Sequence, residues 1–519
     1  MILITSGAYV DSEFSIELGK LPPAFLPVGN KKLYEHQLER LQESFKGESI
    51  YLSLPQDFKV DEIYKEQLQR FGVHVIEVPL NVDLSQSVLW CIESIGIFNE
   101  TLRILHGDTL LDVFPKNRDM ISLGRTNDDY TWQVESDEPE DPLVWAGFFA
   151  FSDVSLLKKE LSAPTNNFVM AVNAYNKILP MVRVLSKDWL DFGHINTFYK
   201  ARTTITTQRS FNNLKISDGT VVKTGTPSHK IISEGVWFKT LPPSLKKYAP
   251  QLISEGYDEK GLPFYEIEYI CALPLNEVFV HGRNPPHFWD KIFAKCAKWF
   301  HESSSFPAGD VSTNFMTLRK SIVIDKTRKR VEEYFLKNPD DLLCDITLNE
   351  LKLPPMQVII DEMIARIIVS PILPGLIHGD LCFSNMIYDS RAESLKLIDP
   401  RAIDHEGRFM HKGDISYDLA KLTHSVIGLY DFIMSNTLRA ERQGMTFKFD
   451  VRMDARILEI QKKFLAKSFL NGISTHDIMP QVILLFLSML PLHQDDVIKQ
   501  DTFLANAIRL YTIYFFKKA

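Results

Sequence analysis

Between Ile2 and about Asp108 the chain alternates short β-rich runs with longer amphipathic ones: ILITSG, KLYEHQLERLQESF, SIYLSL, DEIYKEQLQRFG and VHVIEVPL follow one another. The short runs have the length and β-branched content of buried strands. The longer ones repeat apolar residues every three to four positions, as a one-sided helix does. LSQSVLWCIESIG extends the series as a helix and TLRILHGD as a strand. Strands that return to a sheet through a helix lie parallel to one another. The rhythm therefore admits few folds and predicts an α/β domain with a mostly parallel, twisted sheet flanked by helices. Ligands of such sheets sit beyond the C-terminal ends of the strands.

The rhythm then stops. An acidic, proline-containing segment around Asp128 to Asp141 reads as a surface loop, and LVWAGFFAF after it as a strand. ARTTITTQRS, Ala201 to Ser210, is polar and threonine-rich between two patterned regions, which makes it the candidate domain boundary. Beyond it LKISDGTVVKTG reads as a hairpin turning at Asp218-Gly219, followed by a helix carrying Glu234 and Trp237 and by PFYEIEYI as a further strand. From about Pro285 the spacing is helical, with Leu419, Leu422, Val426 and Leu429 in one series and Ile457, Ile460 and Phe464 in another. Two domains are expected, residues 1–205 and 211–519, the second an α+β domain with a small sheet lobe at 211–275 and a large helical lobe at 285–519. The length of 519 residues, more than one core usually organises, agrees.

A formal charge of −8 argues against a dedicated nucleic-acid binder and leaves small molecules as the expected partners. Cys91, Cys271, Cys296, Cys344 and Cys382 have neither metal-site spacing nor a disulfide framework, which fits a reducing cytoplasm. Met1 to Gly7 has no basic leader or cleavage site and reads as a first buried strand. The longest apolar run, Val482 to Leu492, is interrupted by Ser488 and Pro491 and is too short for a bilayer, so a core helix and no membrane span are expected.

LIHGDLCFSNMIYD, Leu376 to Asp389, places a carboxylate at Asp380 and a carboxamide at Asn385, and KLIDPR adds a second carboxylate at Asp399. Phosphoryl transfer needs a group that orients or deprotonates the attacking hydroxyl, and oxygen ligands for the Mg²⁺ that neutralises the triphosphate. Asp380 suits the first task, Asn385 and Asp399 the second. A lone His-Gly-Asp is also a common turn in which the Asp caps a helix. Here Asn385, an apolar strand ending in Asp399 and an upstream sheet lobe accompany it.

This region resembles the aminoglycoside phosphotransferase and choline kinase superfamily, whose catalytic loop is HGD with an Asn five residues after the Asp. The resemblance implies a kinase with a small sheet lobe and a large helical lobe that uses ATP and Mg²⁺. In it Asp380 is catalytic, Asn385 and Asp399 hold the metal, and His378 supports the loop. It also implies a lysine-glutamate pair gripping the ATP phosphates, Lys223 in TVVKTG and Glu234 on the next helix; an exposed surface pair is the other reading. GDISYDLAKL, Gly413 to Leu422, resembles the helix start beneath the loop, with Asp418 structural. Trp237, Tyr265 and Tyr269 read as core more readily than as a cage for a quaternary ammonium. The acceptor stays open among sugars, amino alcohols and other small hydroxyl compounds.

The first half resembles the nucleotidyltransferases that join a nucleoside triphosphate to a sugar phosphate or phosphocholine, a family with a Rossmann-like sheet. LPPAFLPVGNKKLYEHQLERL, LHGDTLLD and WLDFGHINTFYKA carry the likeness. It implies that Asp108 and Asp191 bind a Mg²⁺ bridging the α-phosphate and the attacking phosphate, where a cation must screen one anion from another. It also implies that Gly7 begins the loop approaching the triphosphate, of unknown base. Where the family has a longer glycine-rich start with an Arg, SGAYVD stands here, and Pro22-Pro23 replaces the usual Pro-Lys. Lys20, Lys31 and Lys32 are the available substitutes. Two readings stay open: a working enzyme with relocated cations, and a domain that only binds nucleotide or scaffolds. Taken singly, Asp108 also fits a strand-end turn and Asp191 a helix cap. The whole chain then reads as a bifunctional activation enzyme, phosphorylating a hydroxyl compound and coupling the product to a nucleotide for surface polysaccharide building blocks. The alternative is a kinase with an inactive first domain; a scaffold with no activity is the third reading.

Overall fold

The computed structural model describes the chain except for residues 97–98, 129–132, 137–141, 208–212, 307–314, 405 and 517–519. It divides into two compact units, Met1–Gln208 with His281–Arg283, and Arg209–Val280 with Asn284–Ala519.

The first unit is built on one sheet, in the order Val182–Leu185, Met120–Arg125, Leu143–Phe151, Leu102–His106, Ile2–Thr5, Ile50–Pro55, Val73–Val78, with Val134–Ser136 added beside Leu143–Phe151. Ile2–Thr5 lies parallel to both Ile50–Pro55 and Leu102–His106, as the helix-linked rhythm predicts. The sheet is mixed, however, because Leu143–Phe151 runs antiparallel to both of its long neighbours. An unbroken apolar run such as LVWAGFFAF fits a strand buried on both faces in either direction, so periodicity could not reveal the reversal. Ile2, Leu3 and Ile4 are fully buried, and the core around Leu3 includes Val88, Ile104, Phe149 and Tyr175. Each such side chain removed from water contributes about 1.5–3 kcal/mol.

One reading of this half changes. The acidic segment around Asp128 to Asp141 is not all loop, since Val134–Ser136 is a strand; residues 129–132 and 137–141 lie outside the described residues. The division between the two units falls within the stretch 201–210, whose first residues close the helix Ile195–Thr207, because threonine-rich sequence lowers helix propensity by only tenths of a kcal/mol per residue. The rest of that stretch, 208–210, lies outside the described residues.

The second unit opens with an antiparallel sheet in the order Asn213–Ser217, Thr220–Thr224, Pro263–Glu268, Leu252–Tyr257. Asp218 and Gly219 turn the hairpin with φ of 51° and 74°, the left-handed pair that a two-residue turn demands. Helices follow, among them Pro286–Ser304, Met356–Val369, Ser416–Val426, Thr475–Leu487 and Val497–Tyr514. The helical face read through Leu429 ends earlier, at Val426, and Leu429 itself has φ 58°. A four-stranded sheet, Leu351–Leu353, Ile346–Leu348, Thr446–Lys448 and Glu441–Gln443, also sits within the helical region, its strands too short to register as a period. The apolar run from Val482 falls in the buried helix Thr475–Leu487 and the turn after it. Among the described residues no helix is long and apolar enough to cross a membrane.

Candidate active sites

In the second unit the strand Pro374–Leu376, paired with Lys412–Asp414, delivers the chain into His378-Gly379-Asp380. Gly379 has φ 78°, and a Cβ there would stand 2.8 Å from Cβ of Arg401, so only glycine fits the middle position. Burial lowers His378 to about 4 and keeps the ring neutral. Its Nε2–H donates to the Ile398 carbonyl at 2.9 Å while Nδ1 accepts the Asp380 N–H at 3.3 Å, the tautomer such a ring needs. The N–H groups of His378 and Gly379 both donate to the Asp418 carboxylate, at 2.7 Å each. Asp418 stands in the first turn of Ser416–Val426 and is fully buried. Asp418→Ala strands two buried donors, and a loss of about 2–4 kcal/mol is expected in chemical denaturation, with Asn losing less.

The hairpin Met386–Asp389 and Ser394–Leu397 brings the next two groups together. The Ile398 N–H donates to the Asn385 carbonyl at 3.0 Å, so Asn385 enters and Asp399 leaves at the open end of one hairpin. Asn385 Nδ2 donates to the Asp380 carbonyl at 2.9 Å and to its carboxylate at 3.2 Å. Asp399, at φ 52°, accepts from Lys223 Nζ at 2.9 Å, and the same ammonium donates to Glu234 at 2.7 Å. Lys223 is 4 % exposed and Glu234 fully buried, which excludes a solvated surface pair. Burial opposes the Lys223 charge, but Asp399 and Glu234 outweigh it and raise its pKa. Trp237 is core, its Nε1–H donating to the Ile377 carbonyl at 3.1 Å, and buried Tyr265 donates its hydroxyl to Glu234 at 2.9 Å.

Asp380 Oδ1 lies 2.8 Å from Lys421 Nζ. Burial pushes Asp380 up, but Lys421, helped by His378 and Arg401, more than offsets this and holds it at about 2. It is therefore an ionised acceptor at neutral pH, suited to orienting a hydroxyl. Asn385 and Asp399 offer the oxygen donors that Mg²⁺ prefers, and the amide nitrogen of Asn385 is already engaged by Asp380, while its oxygen accepts only a long hydrogen bond of 3.5 Å from the Ser384 hydroxyl. These residues fit the ion.

In the first unit the short strands Thr109–Leu110 and Leu190–Asp191 pair just beyond the Leu102–His106 strand, with Asp191 opposite Thr109. The Phe192 N–H donates to the Asp108 carbonyl at 2.8 Å. A Cβ at Gly193 would lie 2.8 Å from Asp108 Oδ2 and 3.3 Å from Asp191 Oδ1, which shows how closely the two carboxylates converge. Asp191 takes side-chain hydrogen bonds from Thr197 and, at 3.2 Å, from His194. Both carboxylates line a pocket of about 400 Å³ with His106, Trp145, Phe149, Trp189 and His194 among its walls. Two carboxylates beside open space fit an ion that takes its remaining ligands from phosphates. Among the described residues no set of three or more His, Cys, Asp or Glu forms a closed metal site.

No family model matches the chain, and no curated protein matches it. The likeness is to solved structures. A nucleoside-diphosphate-sugar pyrophosphorylase from Vibrio cholerae RC9 matches 39% of this chain and 100% of its own length, at 13% identity and TM-score 0.33. A UDP-glucose pyrophosphorylase complexed with UDP-glucose matches 40% of this chain and 98% of its own, at 14% identity and TM-score 0.31. The GDP complex of wild-type aminoglycoside 2'-phosphotransferase-IIIa matches 59% of this chain and 90% of its own, at 16% identity and TM-score 0.35. The chain is similar to both kinds of protein.

The cations expected to replace the missing phosphate clamp are engaged elsewhere. Lys20 pairs with Asp57 at 3.8 Å and lies over the Tyr9 ring, Lys31 pairs with Glu39, and Lys32 is buried over Tyr64. Among the described residues no Lys or Arg lines the Asp108 pocket. Gly7 follows the first strand, where a Cβ would meet Ser87 Oγ at 2.9 Å, near the start of the helix Leu84–Ile95. Lys421 carries one sequence signal for this place: it stands three residues after Asp418, on the same face of a helix.

Burial, then the Asp191 carboxylate, pushes Asp108 up to about 6. The folded chain thus holds a proton that the unfolded chain releases near 4, so stability is greatest below that pH and falls as pH rises through about 6. Asp108→Asn is expected to raise the thermal midpoint of the metal-free chain at pH 8; if the native chain binds Mg²⁺ at Asp108 and Asp191, its midpoint rises further with the ion and that of the variant does not. Melts at pH 5 and 8, with and without Mg²⁺, check both.

Proposed function

We propose that the second unit transfers the γ-phosphoryl group of ATP to a small hydroxyl compound, and that the first unit couples the phosphorylated product to a nucleotide with release of pyrophosphate. The kinase reading rests on one observation: Lys223 and Asp399, 176 residues apart, meet at 2.9 Å in the same unit whose catalytic loop carries Asp380 and Asn385. Lys223, fixed by Glu234, holds the phosphates. Asp380 accepts a hydrogen bond from the acceptor hydroxyl and aims its oxygen at the γ-phosphorus. Bound Mg²⁺, held by Asn385 and Asp399, would neutralise the phosphate charge. Supply of ATP and free thiols favour a cytoplasmic enzyme, and sequential activation of one compound favours a role in making surface polysaccharide building blocks.

Mg²⁺-dependent ADP release by the full chain, measured across hydroxyl compounds, tests the kinase; no acceptor-dependent release, with ATP bound, counts against transfer. Pyrophosphate release from each of the four triphosphates tests the first unit. The absence of Lys and Arg from the described walls of the Asp108 pocket favours a second reading, in which this unit binds a nucleotide or scaffolds without reacting. If Asp108→Asn and Asp191→Asn leave every measured activity intact, the second reading stands.

A further inference from the structure

Resting on the kinase reading, we propose that the acceptor is an anionic hydroxyl compound, its carboxylate or phosphate group held beside Asp380 by Lys326 and Arg401, with Arg330 one helical turn beyond Lys326. Arg319 forms a buried ion pair with Asp414 at 2.5 Å, tying the segment Phe315–Arg319 to the start of the helix that carries Tyr417 and Lys421. After a π-helical stretch, Lys320–Asp325, the next helix begins with Lys326, and its Nζ donates to the Tyr417 hydroxyl at 3.2 Å. One turn beyond Tyr417 on the same face is Lys421, the partner of Asp380. From the other side of the loop comes Arg401, whose N–H donates to the His378 carbonyl at 2.9 Å.

These charges are unbalanced. Lys421 is matched by Asp380, but Lys326 bonds a phenol, Arg330 donates to the Ser488 carbonyl at 2.9 Å and Arg401 to the Ile403 carbonyl at 3.2 Å. Among the described residues none of the three has a carboxylate within ion-pair distance, and all three are only partly exposed. Burial, with Arg401 and Lys421 adding like charge, presses Lys326 down to about 8. Burial would raise Tyr417, yet Lys326, Lys421 and Arg401 outweigh it and bring it to about 8. Three residues past Lys421, His424 is buried with neither ring nitrogen hydrogen-bonded. Half-buried cations without counter-charges are costly, and they persist where a ligand supplies the charge. A cationic amine would meet three like charges there. An anionic group seated on them leaves the compound's hydroxyl free to face Asp380. In transfer, the hydroxyl oxygen bonds to the γ-phosphorus, the bond to the bridging oxygen breaks, ADP leaves with that electron pair, and the hydroxyl proton passes by way of Asp380 to solvent.

The test is Mg²⁺-dependent ADP release by the full chain with matched acceptors: glycerate and glycerol 3-phosphate against glycerol, glucuronate against glucose, and choline and ethanolamine as cations. Turnover confined to anionic members is expected, with Lys326→Met and Arg401→Met each raising the acceptor KM at least about tenfold while the ATP KM holds. Turnover of neutral or cationic acceptors with KM unchanged in both variants overturns the proposal and leaves the kinase standing. So does a rise in ATP KM alone, which would assign these cations to the nucleotide. Silence of every anionic compound while ATP still binds overturns the acceptor class; failure of ATP to bind, with Lys223→Met no different from the native chain, overturns the kinase reading beneath it.

Discussion

Asp380→Asn is expected to lower kcat of the kinase about 10³-fold, roughly 4 kcal/mol of barrier, while the KM for ATP changes little. The substitution keeps the size of the side chain and its place beside Asn385. What it removes is the negative charge that accepts the acceptor's hydroxyl hydrogen and balances Lys421 at 2.8 Å. Because Lys421 outweighs burial and holds Asp380 at about 2, the carboxylate is ionised in both folded and unfolded chains at neutral pH. Its contribution to stability is present above about 4 and is lost only as pH falls through about 2. The pH profile of kcat should therefore show no limb from Asp380 between about 4 and 8. Steady-state kinetics of the variant check the size of the drop; a loss below about tenfold would remove Asp380 from the catalytic role.

Lys223→Met is expected to lower kcat/KM for ATP at least about 100-fold and also to destabilise the second unit by about 3–5 kcal/mol. The two effects have different origins. Affinity and rate fall because the phosphates lose their fixed cation. Stability falls because Glu234, fully buried and raised by that burial, loses the cation that favours its charge and is left with only the Tyr265 hydroxyl and the more distant Lys230, at 3.6 Å, to answer it. Pairing the change with Glu234→Gln separates them: the double variant should recover most of the stability in denaturant melts and none of the activity. Recovery of both would assign the pair a structural role alone.

The loop proposed to transfer phosphate was legible because its residues lie at short range. His378, Gly379 and Asp380 are adjacent, Asn385 follows on the next turn, and a hairpin of ordinary β-rich sequence returns Asp399 to it. Lys223 and Glu234 were legible for a related reason, since strand then helix fixes which faces meet. Several strands of the first unit announced themselves by length and apolar content, and Asp108 follows one of them, Leu102–His106; Leu190–Asp191, only two residues long, carried no such signal.

Three things were decided only by the tertiary structure. The direction of Leu143–Phe151 depends on which neighbours it pairs with, and a fully apolar strand carries no sign of that. Lys20, Lys31 and Lys32 looked eligible to hold phosphates because charge is visible in a sequence, whereas the Asp57, Glu39 and Tyr64 that engage them belong to other elements. Lys326 stands 91 residues from Tyr417 in sequence, and its ammonium reaches the Tyr417 hydroxyl, one turn from Lys421, only because helix packing brings the two helices together. Sequence by itself determined which candidate groups this chain offers and, for the loop around Asp380, which local elements hold them. The sign of the charge facing those groups came from packing, because electrostatic potential sums over neighbours in space and not along the chain.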